Sequence, residues 1–431
     1  NVLTWDPRGF GSSTGKAQID SADAEGHDVQ LLIDWAATQP GVQLDAEGDP
    51  RMGMVGFSYG GGIQFVTAAN DCRVDAIVPG IAWNSLETAL YKNGIAKLGW
   101  SEFLLKVAPP DKLAPEILSA ADSGRKTGTV SKADADWFRS RGPGDLVSKV
   151  DVPTLILQGT VDTLFTLDEA VANEHLLQKA GTTVSMIWFC GGHGACLSYD
   201  ASKDTEWLSD ATFAWLDRYV KGDSKADTGA AFRFVDQYGD HWSAEKYPDA
   251  TTGDGEPEIR GKGHGTLDLK ADGGAGPVTT KPASQDILAG AVTTITPAKA
   301  TNAVDVPIQV DDAGMVLGAG SLTISYSGTV AAGDRPTMVF AQLVDDRTGF
   351  VVGNQITPVP VTLDGKPHKL TIPLETVAHR VRAGDKLTLQ VVATTVAYAQ
   401  PRLGGSVDFD DITVAYPLVT SGLTQDGDSA A

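Results

Sequence analysis

Positive charge is scarce in this sequence. Its 431 residues include 34 lysines and arginines against 55 aspartates and glutamates, which gives a formal net charge of −21. Because neutralising phosphate groups requires lysine and arginine, this balance argues against nucleic acid and anionic membrane surfaces as partners. Long apolar runs are missing too, since none approaches the roughly 18 residues that a membrane-spanning helix needs. The composition is that of a globular protein without a membrane span.

Cysteine is also rare, with three residues at Cys72, Cys190 and Cys196. Three are too few for a disulfide scaffold, and their spacing does not fit a zinc site. We expect neither a metal nor a cofactor. Cys190 and Cys196 bracket the sequence "GGHGA", where a disulfide would clamp the loop; two small buried thiols are the alternative. A disulfide and an acidic surface favour a secreted or cell-envelope location, with the cytoplasm as the alternative.

The order of strand-like and helix-like segments predicts the domain organisation. Strands and helices alternate over residues 1–222, which predicts an α/β domain with a parallel sheet covered on both faces. Helical pieces at about 85–149 interrupt the alternation and are predicted to form a lid insertion. After a polar linker at 223–230, segments of period two over 231–417 predict a β-sandwich or jelly roll. Residues 418–431 are predicted to be a disordered tail.

The strongest chemical signal is "MVGFSYGGG" at 54–62. It places Ser58 in a G-x-S-x-G motif between a predicted buried strand and a predicted helix. This arrangement exposes a nucleophilic serine on a strained turn. The start of the helix and the backbone N–H of Tyr59 would then stabilise negative charge on a substrate oxygen. A tight structural turn without chemistry is the alternative.

A serine nucleophile needs a base, and the base needs a carboxylate that orients it. Asp162 directly follows the predicted strand in "PTLILQG", and His193 follows the one in "SMIWFC". Both residues therefore belong at the carboxyl edge of the predicted sheet, where open α/β sheets place their sites. The chain has seven histidines, and only His193 fits this order and position. Asp168 is the fallback for the acid, although "LDEA" reads as the start of a helix.

With these motifs the chain resembles the X-Pro dipeptidyl-peptidase and cocaine esterase group of α/β-hydrolases. The segments that carry the resemblance are "DPRGFGSSTG", "GFSYGG", "QGTVDTLF" and "GGHG". The resemblance implies an α/β-hydrolase domain followed by a jelly roll, and a small-molecule ester or peptide as substrate. It implies Ser58 as nucleophile, Asp162 as acid, His193 as base and the Tyr59 N–H as one oxyanion donor.

One departure from this group bears on the substrate. Members that act on α-amino esters carry acidic residues just after the catalytic aspartate, whereas Leu164 and Phe165 stand there in this chain. An apolar wall offers no partner for a buried ammonium group, so we expect a neutral or apolar acyl group. Trp83 and Trp100 are further candidates for pocket walls.

The first residues, "NVLTW", read as a buried strand. In the α/β-hydrolase fold a strand that ends in Asp-x-Arg-Gly-x-Gly is the fourth. The third strand, which lies beside it in space, and the loop that supplies a second oxyanion donor would precede Asn1. We therefore expect an upstream segment of the same protein to complete the sheet, because a gap would leave backbone groups unpaired.

The function predicted from the sequence is that of a serine hydrolase, which cleaves an ester or an amide through an acyl-enzyme on Ser58. An X-Pro dipeptidyl-peptidase is the alternative among enzymes. A catalytically silent protein that binds its ligand through the jelly roll is the alternative from another class, because a fold alone does not establish an activity.

Overall fold

The computed structural model describes residues 1–253, 256–278 and 287–426 of the chain. The first part alternates strands and helices as the sequence predicts. Its elements are α1 (His27–Ala37), β1 (Leu44–Ala46), β2 (Asp49–Pro50), β3 (Gly53–Phe57), α2 (Tyr59–Ala68) and β4 (Ala76–Gly80). β1 and β2 form a separate small hairpin, and α2 packs against both β3 and β4.

The predicted insertion is helical in the structure. It contains α3 (Leu86–Leu90), the short hairpin of β5 (Tyr91–Lys92) and β6 (Ile95–Ala96), α4 (Leu98–Val107), α5 (Pro115–Thr127) and α6 (Lys132–Arg139). α5 shows why such a helix forms here. It has proline in its first turn, and it ends at Gly128, whose left-handed backbone closes a helix without strain.

After the insertion the alternation resumes. The elements are β7 (Thr154–Gly159), α7 (Leu167–Ala180), β8 (Val184–Phe189), α8 (Thr205–Tyr219), β9 (Phe232–Val235) and β10 (His241–Ala244). Every residue of β7 is buried, because both faces of the sheet are covered. Ile156 packs in the apolar cluster on one face, and its neighbour Leu157 packs in the cluster on the other.

The remaining residues form an antiparallel β domain. Its elements are β11 (Glu258–Asp268), α9 (Ile287–Thr293), β12 (Ala303–Gln309), β13 (Gly314–Val330), β14 (Met338–Asp345), β15 (Phe350–Val351), β16 (Thr357–Pro360), β17 (His368–Val381), β18 (Lys386–Val392) and β19 (Gly405–Val419). A last short strand, β20 (Thr424–Gln425), follows. The period-two segments of the sequence are strands here, and the α/β-hydrolase fold with a C-terminal all-β domain is confirmed. The jelly-roll topology stays a prediction.

The α/β sheet extends beyond the predicted boundary at residue 222. Its order is β20-β10-β9-β8-β7-β4-β3, and the pairs from β3 to β9 are parallel. β9 and β10 were predicted within the β domain at 231–417, but they pair with this sheet instead. Aromatic side chains pack across this junction, where Phe232 of β9 lies against Trp188 of β8 with ring centroids 5.0 Å apart. An apolar strand pattern does not reveal which sheet the strand will join.

The predicted disordered tail at 418–431 is partly ordered. Leu418 and Val419 complete β19, and β20 pairs with β10 at the far end of the α/β sheet. The chain thus returns from the β domain to the first sheet. Residues 427–431 lie outside the described part of the chain.

The opening residues do not form the predicted strand. Residues 1–7 have no strand assignment, and Val2 is 92% exposed. Among the described strands, β3 stands at the end of its sheet, and two of its large apolar side chains are about half exposed, Val55 at 48% and Phe57 at 49%. Among the helices of the described residues, none has the length and apolar character needed to cross a membrane.

Candidate active site

Ser58 lies in the sharp turn between β3 and α2. Its backbone has φ 56° and ψ −117°, a conformation that is uncommon for residues other than glycine. The turn is tight because a Cβ at Gly56 would come within 2.7 Å of the Gly60 carbonyl oxygen. The first glycine of the G-x-S-x-G motif, two residues before the serine, is therefore required for steric reasons. Such a turn holds the serine side chain at the carboxyl end of the strand, at the edge of the sheet.

The structure brings Ser58 together with the two residues that the sequence pairs with it. The Nε2 atom of His193 lies 2.7 Å from the Ser58 Oγ, and its Nδ1 atom lies 2.8 Å from the Asp162 Oδ2. An ionised carboxylate only accepts hydrogen bonds, so Nδ1 donates to Asp162 in the neutral ring. Nε2 then carries the lone pair that accepts from the serine hydroxyl. This is the geometry of a nucleophile, its base and the acid that orients the base.

Asp162 is fully buried and held by backbone donors. Its Oδ1 accepts hydrogen bonds from the Leu164 and Phe165 N–H groups at 2.9 and 2.8 Å. Its Oδ2 accepts from the His193 N–H at 3.0 Å, besides the ring Nδ1. Four N–H groups thus face the two oxygens of a carboxylate that is 0% exposed, so the protein itself supplies its hydrogen-bond donors. Asp168, the fallback acid, instead forms a salt bridge with Lys92 at 3.0 Å.

The loop that carries His193 is closed at its base. Cys190 and Cys196 form a disulfide across it, as the bracketing in the sequence suggests. The glycines on either side of the histidine allow the loop to approach the aspartate loop, since a Cβ at Gly194 would lie 1.6 Å from the Val161 carbonyl oxygen. The histidine ring is held between two loops, with 13% of its side chain exposed.

The disulfide has a direct chemical test. Without reductant, iodoacetamide is expected to modify only the exposed Cys72 of the denatured protein, and after reduction all three cysteines. Replacing both Cys190 and Cys196 with serine is expected to lower the free energy of unfolding by about 2 kcal/mol, because the short loop is no longer closed in the unfolded chain. Thermal melting measures this effect, and Cys72→Ser is the control. Labelling of all three residues without reductant would show that the loop is not bridged.

Tyr59 is fixed by contacts on every side of its ring. The hydroxyl donates to the Glu25 Oε1 at 3.0 Å, and the ring packs edge-on against Phe10 and Trp83. Burial and the nearby Asp20 and Glu25 carboxylates raise the pKa of the phenol well above its usual value. Its backbone N–H belongs to the first residue of α2, whose opening N–H groups have no acceptor within the helix. The site therefore offers a positioned donor beside Ser58.

The four predicted pocket residues lie together in one apolar cluster. Trp83, Trp100, Leu164 and Phe165 are each no more than 5% exposed. Two of them flank the histidine ring: Trp100 and Phe165 meet it edge-on, with ring centroids 5.6 and 5.1 Å away. The indole N–H of Trp100 donates to the Thr163 hydroxyl at 2.9 Å. These contacts fix the base laterally, and the role of the cluster as an acyl pocket stays a prediction.

Two polar residues near the site gave no signal in the sequence. Lys97, from the insertion, is fully buried, and its Nζ donates to the Leu164 carbonyl oxygen at 3.0 Å. Burial lowers the pKa of this amine to about 8. Gln355, from the β domain, donates through its Nε2 to the Asp162 carbonyl oxygen at 2.8 Å. Within the described ranges no cluster of three or more potential metal ligands occurs.

The fold and this site define the class of protein, which is an α/β-hydrolase. Residues 1–194 match the family model described as X-Pro dipeptidyl-peptidase (S15 family). The predicted resemblance to the X-Pro dipeptidyl-peptidase and cocaine esterase group is confirmed by this match and by the shared fold.

Solved structures of low sequence identity share the fold over nearly the whole chain. A CocE/NonD family hydrolase from Staphylococcus aureus has a TM-score of 0.63 at 14% identity, covering 96% of this chain and 78% of that one. An α-amino acid ester hydrolase has a TM-score of 0.67 at 12% identity, covering 97% and 83%. An aminopeptidase from a marine sediment Thaumarchaeota archaeon has a TM-score of 0.60 at 12% identity, covering 98% and 82%.

One curated relative is an uncharacterized 31.7 kDa protein in the traX-finO intergenic region of Escherichia coli. It is 36% identical over 82 residues, which are 19% of this chain. The match spans 27% of the length of that relative.

Proposed function

We propose that the protein is a serine hydrolase that cleaves esters or amides through an acyl-enzyme on Ser58. The observation that carries the proposal is the hydrogen-bonded series from the Ser58 Oγ through His193 to Asp162, at 2.7 and 2.8 Å. Attack of the Ser58 oxygen on the substrate carbonyl transfers the hydroxyl proton to Nε2. The ionised Asp162 stabilises the imidazolium that forms. The Tyr59 N–H and the start of α2 stabilise the oxyanion.

The second half of the reaction uses the same groups. When the tetrahedral intermediate collapses, the imidazolium gives its proton to the departing alcohol or amine. A water molecule then attacks the acyl-enzyme, and His193 takes its proton and returns it to the Ser58 oxygen as the acid leaves. The Trp100 and Phe165 rings limit how far the imidazole moves between the two steps.

A fluorophosphonate probe tests the proposal, because it reacts with serines that have an adjacent base. We expect a single adduct on Ser58, located by intact mass and peptide mapping. If the protein has the mass expected for these 431 residues and no adduct forms, the result would contradict a catalytic role for this chain alone.

We propose further that the acyl group is neutral or apolar. Leu164 and Phe165 stand where an acidic pair would be needed, and both side chains belong to the apolar cluster. The buried carboxylate of Glu25 already accepts hydrogen bonds from the Gln18 N–H and the Tyr59 hydroxyl, so it is engaged within the fold. A free ammonium group that lies against Leu164 and Phe165 would lose its hydration without gaining a partner from these two side chains.

A matched pair of esters tests this preference. The p-nitrophenyl ester of an N-acetylated amino acid is expected to be cleaved with a kcat/KM at least about tenfold higher than the same ester with a free amine, which corresponds to ~1.4 kcal/mol. The reason is the uncompensated ammonium in the second substrate. A faster reaction with the free amine would support the alternative, an X-Pro dipeptidyl-peptidase, which the description of the matching family model favours. An Xaa-Pro p-nitroanilide would then be the better substrate.

We also propose that the protein includes a segment upstream of Asn1 that pairs with β3. The half-exposed Val55 and Phe57 on this terminal strand support the proposal, since parallel strands are normally covered on both faces. Such a segment would bring the second oxyanion donor. The intact mass of the native preparation tests it, because the segment would appear as a heavier chain or as a second polypeptide.

The disulfide beside the site supports a location outside the reducing cytoplasm, and we propose that the protein is secreted or held in the cell envelope. Fractionation of the producing cells tests this location. Recovery in the cytoplasmic fraction with free thiols at Cys190 and Cys196 would contradict it.

A further inference from the structure

A short turn of the β domain lies against both loops that carry the candidate acid and base. It is a single 3-10 turn, Val352–Asn354, followed by Gln355 and located between β15 and β16. The Gln355 Nε2 donates to the Asp162 carbonyl oxygen at 2.8 Å, and the Asn354 Nδ2 donates to the Ala195 carbonyl oxygen at 3.3 Å. One turn of the β domain therefore contacts both Asp162 and Ala195, which stands two positions after His193.

The backbone of this turn is shaped for close approach. Gly353 has φ 62°, and a Cβ there would lie 3.0 Å from the Thr160 carbonyl oxygen on the aspartate loop. Asn354 also has a positive φ of 55°; Asn354 is 6% exposed and Gln355 5%. Strained residues that are buried against a neighbouring loop occur where the surrounding structure requires that conformation.

A second contact from the β domain holds the other end of the aspartate loop. The Thr166 hydroxyl donates to the Glu375 Oε2 at 2.9 Å. The other oxygen of Glu375 pairs with Lys92 of the insertion at 2.6 Å, and Lys92 also pairs with Asp168. The loop from Asp162 to Thr166 is thus bound by side chains of the β domain at both of its ends.

These outer contacts have a different role from the bonds to the carboxylate itself. The N–H donors to the Asp162 oxygens come from its own loop and from His193, so they fix the carboxylate within the two loops. They do not fix the position of the two loops relative to Ser58, which follows another strand, β3. The Gln355 amide anchors the backbone of the aspartate residue to a buried turn between β15 and β16 of the second domain.

We propose that Gln355 is a positioning residue for the hydrolytic reaction, and that the β domain thereby sets the alignment of acid and base with Ser58. This inference rests on the proposed function. Without the amide, the Asp162 carbonyl oxygen loses a buried partner and the aspartate loop shifts. A small displacement of a catalytic group slows the chemical step far more than it weakens substrate binding.

The test compares two glutamines that each bridge the two domains. Gln355→Met removes the donor and keeps the length of the side chain. Gln237→Met is the matched control, because the Gln237 Nε2 donates to the Arg380 carbonyl oxygen at 2.7 Å on the same β domain, among contacts the mechanism does not use. We expect kcat to fall about tenfold in Gln355→Met with an unchanged KM, and both constants to stay unchanged in Gln237→Met.

Fluorophosphonate labelling separates alignment from loss of folded protein. In Gln355→Met we expect the labelling rate at Ser58 to fall by the same factor as kcat, while the final labelled fraction equals that of the wild type. A normal rate with a reduced fraction would show that Gln355 only stabilises the fold, and it would overturn the proposal. If Ser58 of the wild type is not labelled at all, the result contradicts the proposed function itself and not only the role of Gln355.

A second variant covers the case in which Gln355→Met does not fold. Asn354→Gly removes the contact with the loop of the base, and glycine suits the positive φ at this position. We expect kcat and the labelling rate to fall about threefold at a constant labelled fraction, because a single bond to the loop is lost. Wild-type rates in this variant would overturn an alignment role for the turn.

Discussion

Replacing Ser58 with alanine is expected to lower kcat for ester hydrolysis about 10⁴- to 10⁶-fold and to abolish fluorophosphonate labelling. The Ser58 Oγ is the only protein atom that bonds covalently to the substrate in the proposed reaction, so its loss removes the acyl-enzyme pathway. The remaining rate would reflect the oxyanion donor and substrate binding alone. Steady-state hydrolysis of a p-nitrophenyl ester, corrected for buffer hydrolysis, measures the effect.

Ser85→Ala is the control for this experiment. Ser85 also directly precedes a helix, α3, and its side chain accepts a hydrogen bond from the Thr88 N–H. We expect this variant to lose some helix stability and to keep both labelling and hydrolysis. If Ser58→Ala were labelled as fast as the wild type, the nucleophile would be another residue and the proposed mechanism would be wrong.

Asp162→Asn is expected to lower kcat by about 10⁴-fold. Each carboxylate oxygen faces two N–H groups, so the amide of asparagine has no position in which its NH₂ group meets an acceptor. The variant can accept from the Nδ1–H of His193 only by turning its NH₂ group toward the Leu164 and Phe165 donors. The alternative ring tautomer would place a proton on Nε2, which then cannot accept from Ser58. The pre-steady-state rate of acylation measures the loss.

The chain offers a second buried aspartate and histidine pair as control. The Asp204 Oδ1 lies 3.0 Å from the His241 Nε2, and Asp204 is 4% exposed. No serine in the described residues bonds to this His241, so Asp204→Asn is expected to change stability and to leave acylation unaffected. Equal losses in the two variants would indicate that Asp162 acts through stability and not through the base.

Much of the α/β domain follows from local patterns in the sequence. α7 begins at the "LDEA" that reads as a helix start in the sequence, with acidic residues in its first turn, and Gly181 closes its last turn. β7 and β8 read as buried strands because most of their residues are apolar, as is typical of a parallel sheet. Ser58, Asp162 and His193 each follow the carboxyl end of a parallel strand, which places them at one edge of one sheet. Their proximity could therefore be predicted before any distance was known.

The partners of the later strands could not be predicted in this way. β9 and β10 have the alternation of strands in an antiparallel domain, yet they extend the first sheet. Backbone hydrogen bonds between strands are the same for every sequence, so the choice of sheet depends on side-chain packing from distant parts of the chain. In this case Phe232 of β9 packs against Trp188 of β8, the neighbouring strand in the sheet that β9 joins.

The sequence by itself determined the strand-turn-helix around Ser58, the chain order of the candidate nucleophile, acid and base, and the positions of the loops that carry Asp162 and His193. These depend on turn geometry and on apolar periodicity, which are local. Only the tertiary structure decided that Trp100 and Phe165 hold the histidine ring and that the β domain reaches the acid. Gln355 is 193 positions from Asp162, and a glutamine in a β-rich segment carries no signal of its partner. Such contacts exist only where the two domains pack against each other, so no local pattern in the sequence indicates them.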